Sequence, residues 1–134
     1  ALEKMMRFSA ARQRLIAHNV ANLETPDFRP VDVDPVSFQG KLAEAIEARR
    51  ADRGGTSGGL GVGSTREVEQ LPGGGLRLNP RTGSGNILFH DRNDRDLERT
   101  MQAMVENASM FRVASELFKN RTALLRNAIA ERVG

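Results

Sequence analysis

The sequence predicts a mainly α-helical protein in which N- and C-terminal helices pair in a coiled-coil-like bundle around a Gly-rich irregular centre. Residues 2–22 and 86–133 contain no glycine or proline and carry apolar residues at helical spacing. Eleven of the thirteen glycines lie between Gly54 and Gly85. We therefore divide the chain into an N-terminal helical segment (1–50), a Gly-rich flexible region (51–86) and a long C-terminal helix (87–134).

The first helix is predicted over residues 2–22. It should end near Asn22, because Pro26 disfavours helical backbone at Thr25. Steps of four and three residues define an apolar stripe of moderate strength on this helix. Its members are Leu2, Met6, Ser9, Gln13, Ile16, Val20 and Leu23, with Met5, Phe8 and Leu15 beside them.

A shorter second helix is predicted from Pro35 to about Arg50. Asp34 is a suitable N-cap, and proline is favoured at the first helical position. After this helix the composition becomes rich in Gly, Ser and Thr, which makes order costly and leaves little to bury. Thr65–Leu71 and Gly75–Leu78 are compatible with a short β-hairpin.

The C-terminal helix is predicted from Asp94 to Val133, with Asn93 as its N-cap. A seven-residue repeat of apolar or small residues runs along it for nearly five heptads. We call this row the assembly seam: Leu97, Met101, Met104, Ala108, Phe111, Ser115, Phe118, Thr122, Leu125 and Ile129.

A second apolar row lies off the assembly seam and is called the second row here. It consists of Val105, Met110, Val113, Leu117, Leu124 and Ala128. The first helix is only about half as long as the last, so one chain cannot cover both rows. This pattern predicts a subunit that buries its helices against other chains.

Composition limits the other functional classes. The net charge of +3 is small, and acidic and basic residues alternate along both terminal segments, as on solvated helix faces. The absence of cysteine excludes disulfides and thiol chemistry. No apolar run is long enough for a membrane span, and residues 1–11 do not form a Sec signal.

Three segments resemble ligand-binding motifs only superficially. Gly59–Gly63 lacks the spacing of a nucleotide-binding loop. Asp91–Asp96 resembles a calcium loop, but Arg95 and Asp96 stand where an oxygen ligand and glycine are required. His18 and His90 have no metal-site spacing. The sequence therefore predicts no catalytic, cofactor or metal residues, and a protein that is not an enzyme.

One segment carries a more specific signal. Residues 11–28 form an amphipathic helix that runs into Asn-Val-Ala-Asn, two further residues, Thr-Pro and an aromatic. This resembles the N-terminal signature of flagellar axial proteins. The matching residues are Asn19, Val20, Ala21, Asn22, Thr25, Pro26 and Phe28, and Asp27 stands in place of the family's usual Gly.

The C-terminal third also resembles the flagellar basal-body rod protein family, most closely its proximal-rod members. The family's pattern before and within the last helix is matched by Asp91, Asn93, Asp96, Leu97, Glu98 and Met101, whereas Arg92 and Arg95 depart from it. The match covers roughly the first 45 and last 45 residues. The Gly-rich centre matches nothing specific.

The resemblance implies a structural subunit of the proximal rod, exported by the flagellar type III apparatus. Its implied partners are copies of itself, other rod subunits, and ring or export-gate adaptor components of the basal body. The implied assembly motif is Asn19, Ala21, Asn22, Thr25, Pro26 and Phe28. The segment Asn19–Phe28 is expected to form a shaped turn that contacts an adjacent subunit. The alternative is that Asn22 and Pro26 merely end the first helix.

One alternative comes from a different class. The arginine content is compatible with a small basic helical protein that binds nucleic acid. The balancing acidic residues and the lack of Trp, Tyr and a helix-turn-helix pattern count against it.

Overall fold

A computed structural model describes residues 1–54, 59–82 and 92–133. The predicted mainly α-helical fold, with its paired N- and C-terminal helices, is confirmed. The elements in chain order are α1 (Leu2–Asn22), β1 (Val31–Asp32), α2 (Pro35–Arg53), β2 (Val68–Gln70), β3 (Leu76–Leu78), β4 (Arg81–Thr82) and α3 (Arg92–Val133). Two small antiparallel sheets pair β1 with β4 and β2 with β3. His90 and Asp91 lie outside the described residues.

Helix α2 begins as its sequence predicts and ends slightly later. The Asp34 side chain accepts a hydrogen bond from the Val36 amide at 2.9 Å, and Pro35 occupies the first turn. The helix continues to Arg53, three residues past the predicted end, because Gly54 adopts a left-handed cap with φ of 59°. Glycine is the usual residue for such a cap.

Helices α1 and α3 pack side by side in an antiparallel arrangement. Gln13 and Ser9 of α1 contact Asn107, which lies in the first half of α3. The earlier residues Leu2 and Met5 line one groove with Val113 and Leu117, farther along α3.

The packed faces of these two helices are rotated from the predicted apolar stripes. On α1 the buried residues are Phe8, Ser9, Arg12, Ile16 and Asn19. On α3 they are Thr100, Asn107 and Ala114. Gln13 and Val20, two members of the predicted apolar stripe of α1, are exposed, although Gln13 still contacts Asn107 of α3. On α3, polar or small side chains rather than large apolar ones form the buried face.

The main apolar core joins α1, α2 and the centre of the chain. Phe8 and Phe38 stack with ring centroids 4.2 Å apart. Val62 and Val68 come from the Gly-rich region and are both buried in this cluster, together with Val33. The expectation that this region has little to bury was thus wrong for its described part, 59–82.

The predicted hairpin is present in the centre, although its strands are shorter than expected. Val68 pairs with Leu78, and Gln70 with Leu76. Gly73 and Gly74 both have φ of 86°, which only glycine adopts easily, so they allow the reversal. Lys4 of α1 donates a hydrogen bond to the Gly74 carbonyl at 3.0 Å and ties this loop to the helix.

Helix α3 begins at Arg92, so Asn93 lies inside the helix and is not its N-cap. Most of the large apolar side chains exposed in the described part of the chain belong to α3. They are Leu97, Met101, Val105, Phe111, Val113, Leu117, Phe118, Leu124, Leu125 and Ile129.

Candidate assembly surface

Asn19, the first residue of the assembly motif, fixes the loop that follows α1. Its Nδ2 donates to the Val31 carbonyl at 2.7 Å, and its Oδ1 accepts from the Val31 amide at 3.0 Å. The side chain thus makes the two hydrogen bonds that a neighbouring strand would make. Because Asn19 is only 4% exposed, its role lies inside the subunit.

The middle of the motif is a tight turn. The Phe28 amide donates to the Thr25 carbonyl at 3.2 Å, with Pro26 and Asp27 between them. Asp27 has φ of 60°, and a positive φ after proline defines a type II turn. This position favours glycine, the residue that the resembled family has there. Here Asp27 takes up this left-handed conformation and the turn forms.

The remaining motif residues lie around this turn. Asn22 Nδ2 donates to the His18 carbonyl at 2.8 Å at the end of α1. Phe28 packs edge-on against His18, with ring centroids 5.6 Å apart. The side chains of Ala21, Thr25 and Pro26 are exposed, so these three form the part of the motif that is open to another molecule.

A buried arginine links the loop to both long helices. Arg12, only 3% exposed, donates from Nε and Nη2 to the two carboxylate oxygens of Asp32 at 2.9 and 2.6 Å. This bidentate contact raises the pKa of Arg12 above its ordinary value. Its Nη1 lies 3.8 Å from the Glu106 carboxylate of α3, too far for a hydrogen bond.

Asn107 is the polar centre of the α1–α3 contact. Its Nδ2 donates to the Ser9 carbonyl and to Gln13 Oε1, both at 2.9 Å. Asn107 Oδ1, Ser9 Oγ and Arg12 Nη1 are buried without a hydrogen-bond partner. One interior polar residue of this kind fixes the register of paired helices at a cost in stability.

The assembly seam is not covered by α1. Its large residues Leu97, Phe111 and Phe118 are 42–43% exposed, and Leu125 and Ile129 are 57% and 64% exposed. Met101 is also exposed, as is Ala108, whereas Met104 is half-buried. The row therefore follows α3 from near its start to near its end as an open apolar surface.

The last part of α3 projects beyond α1. Leu2, at the start of α1, lines a groove with Leu117 of α3. The described side chains from Ala123 to Arg132 are all exposed. About 15 Å of helix, ten residues at 1.5 Å each, has no cover from its own chain.

The described residues contain no group of three or more His, Asp or Glu side chains that could hold a metal ion. His18 lies at the end of α1 against Phe28 and Asn22. Among the described helices, none combines the length and apolar character that crossing a membrane requires.

Comparison of the chain with protein-family models, curated proteins and solved structures finds no match. The function must therefore be argued from the residues themselves.

Sequence reasoning missed the buried polar residues Arg12, Asp32 and Asn107. Arg12 and Asn107 lie within the segments that resemble axial proteins, but hydrophobicity assigns such residues to the surface. Asp32 lies in the loop after α1, where no periodicity relates it to Arg12. Their pairing depends on how the loop and α3 meet α1.

Proposed function

We propose that this chain is a structural subunit of the bacterial flagellar basal-body rod, of the FlgB type rather than the FlgC type. The observation that carries the proposal is the open assembly seam on α3, together with the axial-protein motif at the end of α1. A lone chain leaves this long apolar row in water, and its burial between subunits would stabilise an assembly.

The mechanism is mechanical. Helices from neighbouring subunits pack along the seam into a tubular wall, and torque passes through many such contacts in the periplasm-spanning rod. No step needs catalysis or a cofactor. Export through the flagellar type III apparatus brings the subunit to its place.

Two roles for the motif are compatible in this proposal. Asn19 and Phe28 shape the loop from inside the subunit. The shaped turn then presents Ala21, Thr25 and Pro26 to the adjacent subunit.

The proposal can be tested by changing the seam without changing the fold. Phe118→Ser combined with Leu125→Ser removes two exposed apolar side chains from the seam. The matched control, Lys119→Ser with Asn127→Ser, changes exposed polar positions one or two residues away on the same helix. Each gene replaces the original in the source bacterium, and swimming and rod formation are measured.

We expect the seam variant to lose swimming and rods while the control keeps both. Circular dichroism of the purified proteins should give equal helix content for the two variants, because all four residues are exposed. Normal swimming with the seam variant would contradict the proposal.

A further inference from the structure

The charged residues beside the assembly seam are almost all of one sign in its second half. One edge of the seam carries Arg112, Lys119 and Arg126, which are seven residues apart and all exposed. In a heptad repeat such residues lie in one row beside the apolar positions. The row is about 21 Å long, and we call it the basic flank.

The other edge of the seam changes along α3. Thr100, Asn107 and Ala114 occupy it in the first half of the helix and are buried. Arg121, the next residue at the same spacing, is exposed. The last part of the seam therefore has cations on both edges. We call this part the distal seam, and its members are Phe118, Thr122, Leu125 and Ile129.

The cations beside the distal seam have no acidic partner within the chain. Among the described residues, no salt bridge engages Lys119, Arg121 or Arg126. From 111 to 132 the helix has five basic and two acidic residues, and both acidic residues lie at heptad positions away from the seam. A helix that packs on the seam places its own flanking residues beside these cations, so acidic residues there would be favourable.

A second copy of α3 does not supply those acidic residues. In a parallel pair in register, Arg121 of one copy faces Arg126 of the other. In an antiparallel pair centred on Asn120, Lys119 faces Lys119 and Arg121 faces Arg121. Like charges across the contact disfavour both arrangements.

The other two helices of a second copy offer no match either. Helix α1 contains one acidic residue, Glu3, and it pairs with Arg7. Helix α2 has three acidic residues, but its large apolar side chains Phe38 and Leu42 are buried in the core of their own chain. The matching helix must therefore belong to a different protein.

The position of Arg121 favours a helix over a membrane surface. Arg121 lies between Phe118 and Leu125 of the seam and Leu117 and Leu124 of the second row. A lipid surface that took up both apolar rows would also draw in this cation, which is costly. A helix on the seam leaves Arg121 at the edge of the contact.

We propose that the distal seam binds an amphipathic helix of a different protein, whose apolar heptad row is flanked by Asp or Glu. Its apolar residues pack on Phe118 and Leu125, and its acidic residues pair with Lys119, Arg121 and Arg126. The inference rests on the proposed function, because it names the chemistry of one partner for the same surface. In a rod, this partner is a subunit of another kind.

Three labelled synthetic peptides of three heptads, all with the same apolar row, test the proposal. The first carries Glu beside the apolar row, the second carries the same number of Glu residues on its outer face, and the third carries Lys beside the row. Fluorescence anisotropy measures their binding to the intact chain. We expect the first peptide to bind about tenfold more tightly than the second, since three exposed ion pairs add up to that factor. Added salt should reduce the difference.

Reversal of the charges on the chain provides the second measurement. The reversed variant should prefer the Lys-flanked peptide, and it combines Lys119→Glu, Arg121→Glu and Arg126→Glu. The matched control changes the net charge equally at exposed positions elsewhere and should keep the preference for Glu; it combines Arg14→Glu, Arg29→Glu and Arg66→Glu. Circular dichroism checks that both variants keep their helix content.

Equal binding of the first two peptides, or an unchanged preference in the reversed variant, would overturn the proposal. A dimer in sedimentation that Phe118→Ser with Leu125→Ser abolishes would overturn it in favour of a second copy. Binding to phosphatidylglycerol vesicles without preference among the peptides would overturn it in favour of a membrane. Swimming of the Phe118→Ser, Leu125→Ser strain is scored separately, so failure of the acidic partner does not count against the rod.

Discussion

Asn19 shows how one side chain can take the place of a strand. It forms hydrogen bonds with both backbone groups of Val31. The pairing of strand β1 with strand β4 begins at the same residue. The resemblance to axial proteins drew attention to Asn19, but only the structure shows that it acts within the subunit. The contribution of Asn19 should therefore be measurable as a free energy of unfolding in the isolated subunit.

We expect Asn19→Ala to lower the free energy of unfolding by about 2 kcal/mol, because two partly buried backbone groups lose their partners. Asn22→Ala is the matched control. The Asn22 side chain bonds to His18 at the end of its own helix and makes a long contact with Thr25, so its loss should cost less than half as much. Urea unfolding of both proteins measures the difference. Equal losses would show that Asn19 has no special role.

Asp27 holds a backbone conformation that favours glycine. We expect Asp27→Gly to raise stability by roughly 0.5 kcal/mol, and Asp27→Val to lower it by about 1–2 kcal/mol, since a β-branched residue tolerates positive φ poorly. Glu24 is exposed and does not have a positive φ, so Glu24→Gly should lower stability slightly. Thermal unfolding compares the three, and a destabilised Asp27→Gly protein would contradict the assigned turn.

Arg12 holds α1 and the following loop together through Asp32. Lysine cannot make the bidentate contact, so Arg12→Lys should cost about 1–3 kcal/mol, limited by the partial exposure of Asp32. Arg14→Lys, exposed on the same helix, should cost almost nothing. Urea unfolding measures the stability of each variant. Equal stability of the two would show that the Arg12–Asp32 contact does not stabilise the fold.

The pH dependence of this contribution follows from the pKa of Arg12. Its hydrogen bonds to Asp32 raise that pKa in the folded protein. A raised pKa gives stability that is complete below the ordinary arginine value and is lost only above it. The cost of Arg12→Lys should therefore be nearly constant from about pH 6 to pH 9.

The sequence was enough to predict that the three helices form and roughly where they end. It was not enough to predict which faces of the helices pack together. Absence of glycine and proline, the Asp34 cap and Pro35 were enough to predict α1, α2 and α3 to within a few residues. Hydrophobicity selected the rows on α3 that remain exposed. The face that meets α1 contains Thr100, Asn107 and Ala114, because α1 offers polar partners there and small side chains allow close approach.

The uncovered end of α3 should be less stable than its middle. Helical residues without tertiary packing depend on weak intrinsic propensity. In dilute monomer we expect amides of 122–133 to exchange hydrogen at least about a hundredfold faster than those of 100–114. Hydrogen–deuterium exchange with mass spectrometry measures both segments in one experiment, and equal protection along α3 would contradict this expectation.

The molecule as a whole combines a small folded core with a long helix, α3, whose large apolar side chains are mostly exposed. Phe8, Phe38 and the central hairpin form a core that needs no partner, while α3 carries two apolar rows outward. The helix lengths alone were enough to predict that α1 cannot cover both apolar rows of α3. The contribution of Val62 and Val68 to the core was not, since a Gly-rich composition hides a few well-placed apolar residues.

We propose that the outward surface on α3 serves assembly into a flagellar rod. Mass spectrometry of detergent-purified hook–basal bodies from the source bacterium tests it most directly. We predict peptides of this chain in intact basal bodies, and loss of rod structures when its gene is deleted. Absence of the chain from intact basal bodies would contradict the claim, and a salt-dependent gel shift for nucleic-acid binding would then be the next test.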